Sequence, residues 1–208
     1  MRAYERFLDY VKVFTTSDEE SDSTPTTQRQ FDLSRLLSRE MEGLGLSDVY
    51  VDEHAYVYGR IPATIGLIAH MDTAPDFSGE AVSPQLHENY DGGDVALGDS
   101  GRVLSAEQFP HLKNLKGHTL ITTDGSTLLG ADDKAGIAEI LTACEVILKE
   151  NRPHGPVTVC FTPDEEVGHG AGLLDLERFA ADFAFTVDGG EPWELNYETF
   201  NAAAATVT

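Results

Sequence analysis

Two N-terminal segments carry apolar side chains at every third or fourth position, the spacing of a helix with one buried face. The first covers residues 4–14 and the second residues 28–44, where Gly43 and Gly45 indicate the end of the helix. A polar stretch that contains Pro25 separates them. The pattern therefore predicts two helices joined by a loop.

Five short apolar or alternating runs are typical of β-strands. They cover residues 49–51, 55–58, 64–69, 157–162 and 183–187. The last two runs are mostly apolar without a clear alternation, which is typical of strands covered on both faces. Helical repeats at 134–149 and 174–180 precede and separate these two runs. This order predicts an α/β fold with a mixed, largely parallel sheet flanked by helices.

Residues 76–114 are rich in Gly, Pro and Asp and follow neither the helical nor the strand period. We interpret them as a long surface excursion, which in a compact domain is more often functional than idle. Just after it, Asp124 and Gly125 favour the tight turn of a β-hairpin, which we expect around residues 123–126.

The composition describes a folded and strongly acidic protein. Of 208 residues, 41% are apolar, and 36 acidic against 14 basic residues give a formal charge of -22. Such a charge repels nucleic acid and anionic lipid, so neither is an expected partner. The acidity itself has two interpretations that composition does not separate: a soluble surface, or carboxylates that converge in a cleft and hold cations.

Cellular location and redox state follow from what the chain carries. Residues 1–8 lack the apolar core of a signal peptide, and no window approaches the roughly 20 apolar residues of a membrane span. We therefore expect a cytoplasmic protein. The two cysteines, Cys144 and Cys160, fall in a helical and a strand pattern, which indicates buried free thiols.

Clusters of His, Asp and Glu follow the predicted strands or lie in loops. They are His70 with Asp72, Asp132 with Asp133, Asp164 with Glu165 and Glu166, and Asp188. The carboxyl ends of strands in an open α/β sheet line one crevice, so these groups are expected to converge. Crowded carboxylates repel one another unless a cation neutralises them, and mixed imidazole and carboxylate ligands suit zinc. For the pair at 132 and 133, capping of the following helix is the alternative interpretation.

Four strings in this order resemble the signatures of the peptidase T family, tripeptide aminopeptidases among the di-zinc exopeptidases. They are AHMDTA at 69–74, LGADDKAG at 129–136, TPDEEVG at 162–168 and VDGGE at 187–191. Glutamate carboxypeptidase and succinyl-diaminopimelate desuccinylase belong to the same wider group. The resemblance covers nearly the whole chain and implies a zinc exopeptidase-like fold that acts on small peptides.

The resemblance also implies a set of metal ligands for two zinc ions. Asp132 would bridge the two ions, with His70 and Asp188 on one of them and Glu166 on the other. The family pattern has a further histidine ligand near the C-terminus, for which this sequence offers no matching motif. His169, three residues after Glu166, is a candidate substitute, although a loop imidazole is the simpler interpretation.

Two further residues receive roles in catalysis from the same resemblance. Glu165 would be the general base that takes a proton from the attacking water. Asp72 would orient the imidazole of His70 and fix its tautomer.

The resemblance further implies how the chain is divided. Residues 1–199 would form the N-terminal part of the catalytic domain and residues 200–208 the start of a lid domain through which a homodimer forms. We expect a sheet that is incomplete at its C-terminal side, with an exposed edge and apolar face that favour association.

Two alternatives stay open on the sequence. One is a dipeptidase, carboxypeptidase or N-acyl deacylase with the same metal chemistry and a different lid. The other is a non-catalytic metal-binding or interaction module, which the lack of a match to the family's C-terminal histidine ligand favours. The excursion at 76–114 and the region around Asn201 favour the peptidase T branch.

Overall fold

The computed structural model describes residues 1–61, 65–190 and 194–197. The lid segment expected at 200–208, and Glu191 of the last motif, lie outside the described residues. In the described part of the chain the α-helices are α1 Ala3–Tyr10, α2 Gln30–Leu44, α3 Ala131–Lys149 and α4 Leu176–Phe179. None of these helices is both long and apolar enough to cross a membrane.

The strands follow the chain in an order that separates one main sheet from two small pairs. They are β1 Ser47–Val51, β2 Val57–Ile61, β3 Ile65–His70, β4 Gln85–His87, β5 Val95–Leu97, β6 Arg102–Leu104, β7 Leu120–Thr122, β8 Val157–Thr162 and β9 Phe183–Thr186. The main sheet has the order β1-β2-β8-β3-β9. Strand β3 is parallel to β8 and β9, whereas β2 is antiparallel to β1 and β8. The predicted mixed α/β sheet is confirmed.

The two faces of the sheet bury different side chains. Helices α1, α2 and α3 cover one face, where Leu37, Met41, Ile137 and Phe161 belong to a single apolar cluster. On the other face Tyr56, Tyr58, Cys160 and Phe179 form a smaller cluster. Strand β8 is buried on both faces, as its mostly apolar sequence predicted.

The predicted cover over β9 is wrong, while the predicted exposed edge is confirmed. Strand β9 lies at the edge of the sheet, and its side chains are exposed along its whole length. Phe183 is 54% exposed and Phe185 is 41% exposed. Apolar sequence indicates that a strand is suited to burial, but it does not show which elements are present to cover it.

Two local predictions also differ from the structure. The first helix ends at Tyr10, because residues after it run beside the loop that follows β3: the Thr15 hydroxyl donates to the Met71 carbonyl at 2.7 Å. No hairpin forms at 123–126, where the Asp124 carboxylate accepts from the Ser126 N–H and closes a local turn. Strand β7 pairs instead with β4, in the excursion.

The excursion at 76–114 contains short strands and a 3-10 helix, Pro110–Leu115. It has a small core of its own, formed by Tyr90, Val95, Ala106 and Leu112. It is therefore an ordered part of the fold.

Glycine 136 allows the start of α3 to approach the end of β9. A Cβ at this position would lie 1.9 Å from the Val187 carbonyl oxygen and 2.4 Å from Asp133 Oδ1. Real Cβ atoms do not approach backbone oxygens so closely, so a side chain here would push β9 away from α3. Gly136 thereby sets how closely the start of α3, with Asp132, approaches the residues that follow β9 and lead to Asp188.

We expect Gly136→Ala to lower the free energy of unfolding by about 1–3 kcal/mol, because the added methyl group overpacks the contact. The matched control is Gly43→Ala in α2, where a Cβ would meet nothing within 4 Å. That substitution should raise the free energy of unfolding by about 0.5–1 kcal/mol, since alanine loses less backbone entropy. Urea unfolding followed by circular dichroism measures both, and equal effects of the two substitutions would contradict the close approach.

Candidate metal centre

The carboxyl ends of three parallel strands bring the predicted site residues to one edge of the sheet. Strand β3 ends at His70, β8 ends just before the loop with Glu165 and Glu166, and β9 ends two residues before Asp188. The start of α3 adds Asp132 at the same edge. The predicted convergence therefore follows from the parallel register of β3 with its two neighbours.

The imidazole of His70 lies at the centre of this group. Its Nε2 atom is 2.8 Å from Asp132 Oδ1, 3.8 Å from Glu165 Oε2 and 3.8 Å from Asp188 Oδ2. The side chain of His70 is only 3% exposed, whereas that of Asp132 is 68% exposed. The imidazole thus forms the floor of the site, and the carboxylates line an opening to solvent.

Among the residues that the structure describes, two sets of three could each hold a metal ion. One consists of His70, Asp132 and Glu166, and the other of His70, Asp133 and Asp188; within each set the ligand atoms lie within 4.8 Å of one another. The structure thus brings together all four residues for which metal binding was predicted. It differs from the expected arrangement in grouping Asp188 with Asp133, while the division of ligands between two ions remains a prediction.

Asp72 connects the imidazole to the loop that carries the two glutamates. Its carboxylate is fully buried, and its Oδ1 atom lies 3.3 Å from His70 Nδ1, near enough for a charge interaction but outside hydrogen-bond geometry. The Glu165 N–H donates to Oδ1 at 3.0 Å and the Glu166 N–H to Oδ2 at 3.1 Å. The Ser17 hydroxyl also donates to Oδ2, at 2.9 Å. One carboxylate therefore fixes both the imidazole and this loop.

Asp133 was predicted to converge with the other acids or to cap the helix, and it was not among the predicted metal ligands. Capping is confirmed, since Asp133 Oδ1 accepts from the Gly136 N–H at 3.2 Å. Its Oδ2 atom accepts from the main-chain N–H of His70 at 3.1 Å and so connects the start of α3 to the end of β3. Neither Asp132 nor Asp133 has helical backbone angles, so the regular helix begins at Lys134. No pattern in a single sequence could reveal the contact with β3.

The site gathers several carboxylates around the His70 imidazole. Burial raises the pKa of Glu165 and Glu166, and neighbouring carboxylates add to the effect. Burial likewise raises the pKa of Asp133, to about 8, although His70 opposes the shift. Burial lowers the pKa of His70, but Asp72, Asp133 and Asp132 outweigh it and raise that pKa to about 10. A divalent cation would stabilise all these carboxylates in their charged form.

His169 does not join the site. It is exposed, and neither metal-binding set found in the described part of the chain includes it.

Lys134 was also missed by the sequence: it is buried, and burial lowers its pKa to about 8 while Asp72 opposes the shift. Its cationic side chain is thus enclosed next to the acidic cluster.

In the metal-free protein, we expect the His70 imidazole to stay protonated until the pH approaches about 10. Because the pKa in the folded state is raised, the resulting stabilisation is complete below the ordinary pKa of 6.5 and is lost as the pH rises through about 10. Titration of the His70 ring signals by NMR measures this. A His70 signal that titrates near the ordinary pKa of 6.5 would contradict the electrostatic description.

Several curated proteins are similar to this chain along almost its whole length. Peptidase T of Alkaliphilus oremlandii is 54% identical over 98% of the chain, and peptidase T of Aliivibrio fischeri is 55% identical over 98%. In each case the chain matches 52% of the relative. The chain therefore spans about half the length of the curated relatives that it matches.

A family model and solved structures agree with these relatives. The model described as peptidase family M20/M25/M40 matches residues 118–205. A tripeptidase from Staphylococcus aureus aligns with 91% of this chain and 43% of its own, with a TM-score of 0.63 and 28% identity. Aminopeptidase PepT from Bacillus cereus aligns over the same shares of the two chains, with a TM-score of 0.64 and 26% identity.

Proposed function

We propose that this chain, which is similar to peptidase T along nearly its whole length, belongs to the M20/M25/M40 peptidase family and carries the zinc-binding part of an aminopeptidase. The proposed substrates are tripeptides, from which the N-terminal residue is released. The finer assignments, two zinc ions, a cytoplasmic location and a homodimer, belong to the same proposal.

The observation that carries this proposal is the position of the His70 imidazole among carboxylates from three other segments. Its Nε2 atom faces Asp132 at 2.8 Å, and Glu166 and Asp188 each complete a set of potential ligands with it. A buried imidazole with exposed carboxylates above it provides an open coordination site, which catalytic zinc requires. A surface cluster of acids alone would not include a nearly buried histidine.

The residues of the chain fit zinc in ligand type as well as in position. Imidazole nitrogen and carboxylate oxygen are ligands that zinc accepts, and Asp72 lies on the far ring nitrogen of His70. In the metal-bound state, a proton on Nδ1, beside the Asp72 carboxylate, would leave the lone pair on Nε2 free for the metal. When bound, zinc lowers the pKa of a water molecule and polarises a carbonyl group.

Glu165 is the proposed general base. Its carboxylate is 54% exposed and lies 3.8 Å from the shared imidazole, so it borders the ligands and is accessible to solvent. Burial and neighbouring carboxylates raise its pKa, which makes the carboxylate a better proton acceptor from water and a proton donor to the departing amine. Its backbone N–H bond to Asp72 holds it in place.

We expect the chain to bind zinc or cobalt(II), and His70→Ala to weaken this binding at least about 100-fold, because His70 belongs to both sets of ligands. Exposed His169 provides the matched control, and His169→Ala should leave the affinity unchanged. Titration against a chromophoric chelator measures both variants. If the His169 variant loses affinity and the His70 variant keeps it, the proposed site is wrong.

Activity is tested in the same series. The chain would be assayed alone and fused to the second half of the Alkaliphilus peptidase T, with tripeptides, dipeptides and N-acylated amino acids as substrates. Glu165→Gln should remove tripeptide hydrolysis while leaving metal affinity nearly unchanged, since Glu165 is not a proposed ligand. Preference for dipeptides or acylated amino acids would favour the other members of the family.

A further inference from the structure

Asp164 is a fully buried carboxylate directly before the two glutamates of the site. Its Oδ1 atom accepts from the Thr26 hydroxyl at 2.6 Å and from Gln30 Nε2 at 2.6 Å. Its Oδ2 atom accepts from the Thr26 N–H at 2.8 Å. The N–H of Asp164 donates in turn to Gln30 Oε1 at 3.3 Å, so the amide of Gln30 contacts it twice.

The groups that contact the Asp164 carboxylate, namely the hydroxyl and N–H of Thr26 and the side-chain amide of Gln30, are all electrically neutral. A buried carboxylate is costly unless hydrogen bonds replace its hydration, and here neutral donors surround it. The backbone of Asp164 has a φ of +54°, which a residue other than glycine rarely adopts. The contacts with Thr26 and Gln30 therefore hold the chain in an unusual turn just where β8 leads into the site.

The next two residues are held from the opposite side. The N–H groups of Glu165 and Glu166 donate to the two oxygens of Asp72. The segment 15–30 contacts both anchors, because Ser17 donates to Asp72 while Thr26 and Gln30 donate to Asp164. The two glutamates thus lie between two buried carboxylates that are held by one N-terminal segment.

We propose that Asp164 is a positioning residue that places Glu165 and Glu166 by anchoring the start of their loop to Thr26 and Gln30. It touches no ligand set itself and acts through the main chain. What the two glutamates do rests on the proposed function, whereas their placement by Asp164 can be measured without it.

The contacts suggest an exchange of side chains between positions 164 and 30. Asp164→Asn puts an amide NH₂ group against hydrogen-bond donors on either side, so the loop should lose its anchor. Gln30→Glu alone places two carboxylates in contact. The double variant Asp164→Asn with Gln30→Glu restores a single negative charge, now at position 30. The new carboxylate can accept hydrogen bonds from both the side-chain amide and the N–H of residue 164, so the contact between the two positions is kept.

Hydrogen exchange of the amides of residues 165 and 166, followed by NMR, is the direct measurement on the metal-free chain. We expect Asp164→Asn to raise both exchange rates about tenfold or more, as the loss of a hydrogen bond to a charged group implies. The double variant should bring both rates back toward the original values. Amides within β8 should keep their protection in every variant.

Two controls separate positioning from general stability. Tyr58→Phe removes the acceptor of the Asp175 N–H, farther along the same loop, and should leave residues 165 and 166 unchanged. If Asp164→Asn does not fold, Thr26→Val carries the test, with Thr26→Ser as its hydroxyl-retaining control. Unchanged exchange at 165 and 166, equal loss of protection in β8, or no recovery in the double variant would overturn the proposal.

Zinc affinity of the same variants gives a second result. Because Glu166 is a proposed ligand, Asp164→Asn should weaken binding about 10- to 100-fold, with recovery in the double variant. If the original chain binds no zinc, the proposed function fails, and the exchange rates still decide the role of Asp164. If it binds zinc and the Asp164 variant binds equally well with unchanged exchange, only the positioning role fails.

Discussion

The site depends on the attraction between one buried imidazole and the carboxylates that surround it. Asp72 lies below His70, while Asp132, Glu165 and Asp188 lie around its outer nitrogen. Like charges this close repel one another, and a cation lets several carboxylates share one site in their charged form. The proton on His70 supplies that charge in the metal-free protein, and zinc would replace it.

The fold supplies the force that keeps the carboxylates together. Parallel strands bring three segments to one edge, Gly136 lets α3 approach the end of β9, and Asp133 joins α3 to β3. Buried carboxylates also hold the site loops by accepting hydrogen bonds from neutral side chains or the main chain. Asp72 holds the loop with Glu165 and Glu166 in this way. Rigid placement of this kind would preorganise the proposed metal ligands before any metal binds.

Sequence alone predicted most of the fold and the convergence of the candidate site residues for identifiable reasons. The helical repeat predicted α2 and the regular part of α3, and the apolar run predicted β8 with its bounds. Acids and a histidine at strand ends predicted the convergence. Other features depend on which distant segments contact each other, and local sequence periodicity carries no information about such contacts. These features are the exposure of β9, the pairing of β7 with β4, and the contacts of Asp133 and Asp164. Asp164 lies within a recognised string, yet only Thr26 and Gln30 reveal what its side chain does.

His70 and the carboxylates from separate segments are proposed to form one metal site. Anomalous diffraction at the zinc absorption edge, from crystals of the chain grown with zinc, is the decisive measurement. We expect a zinc peak at about 2.0–2.1 Å from His70 Nε2, with carboxylate oxygens of Asp132, Glu166 or Asp188 completing its coordination. Zinc bound only at surface residues, with His70 still paired to Asp132, would contradict it.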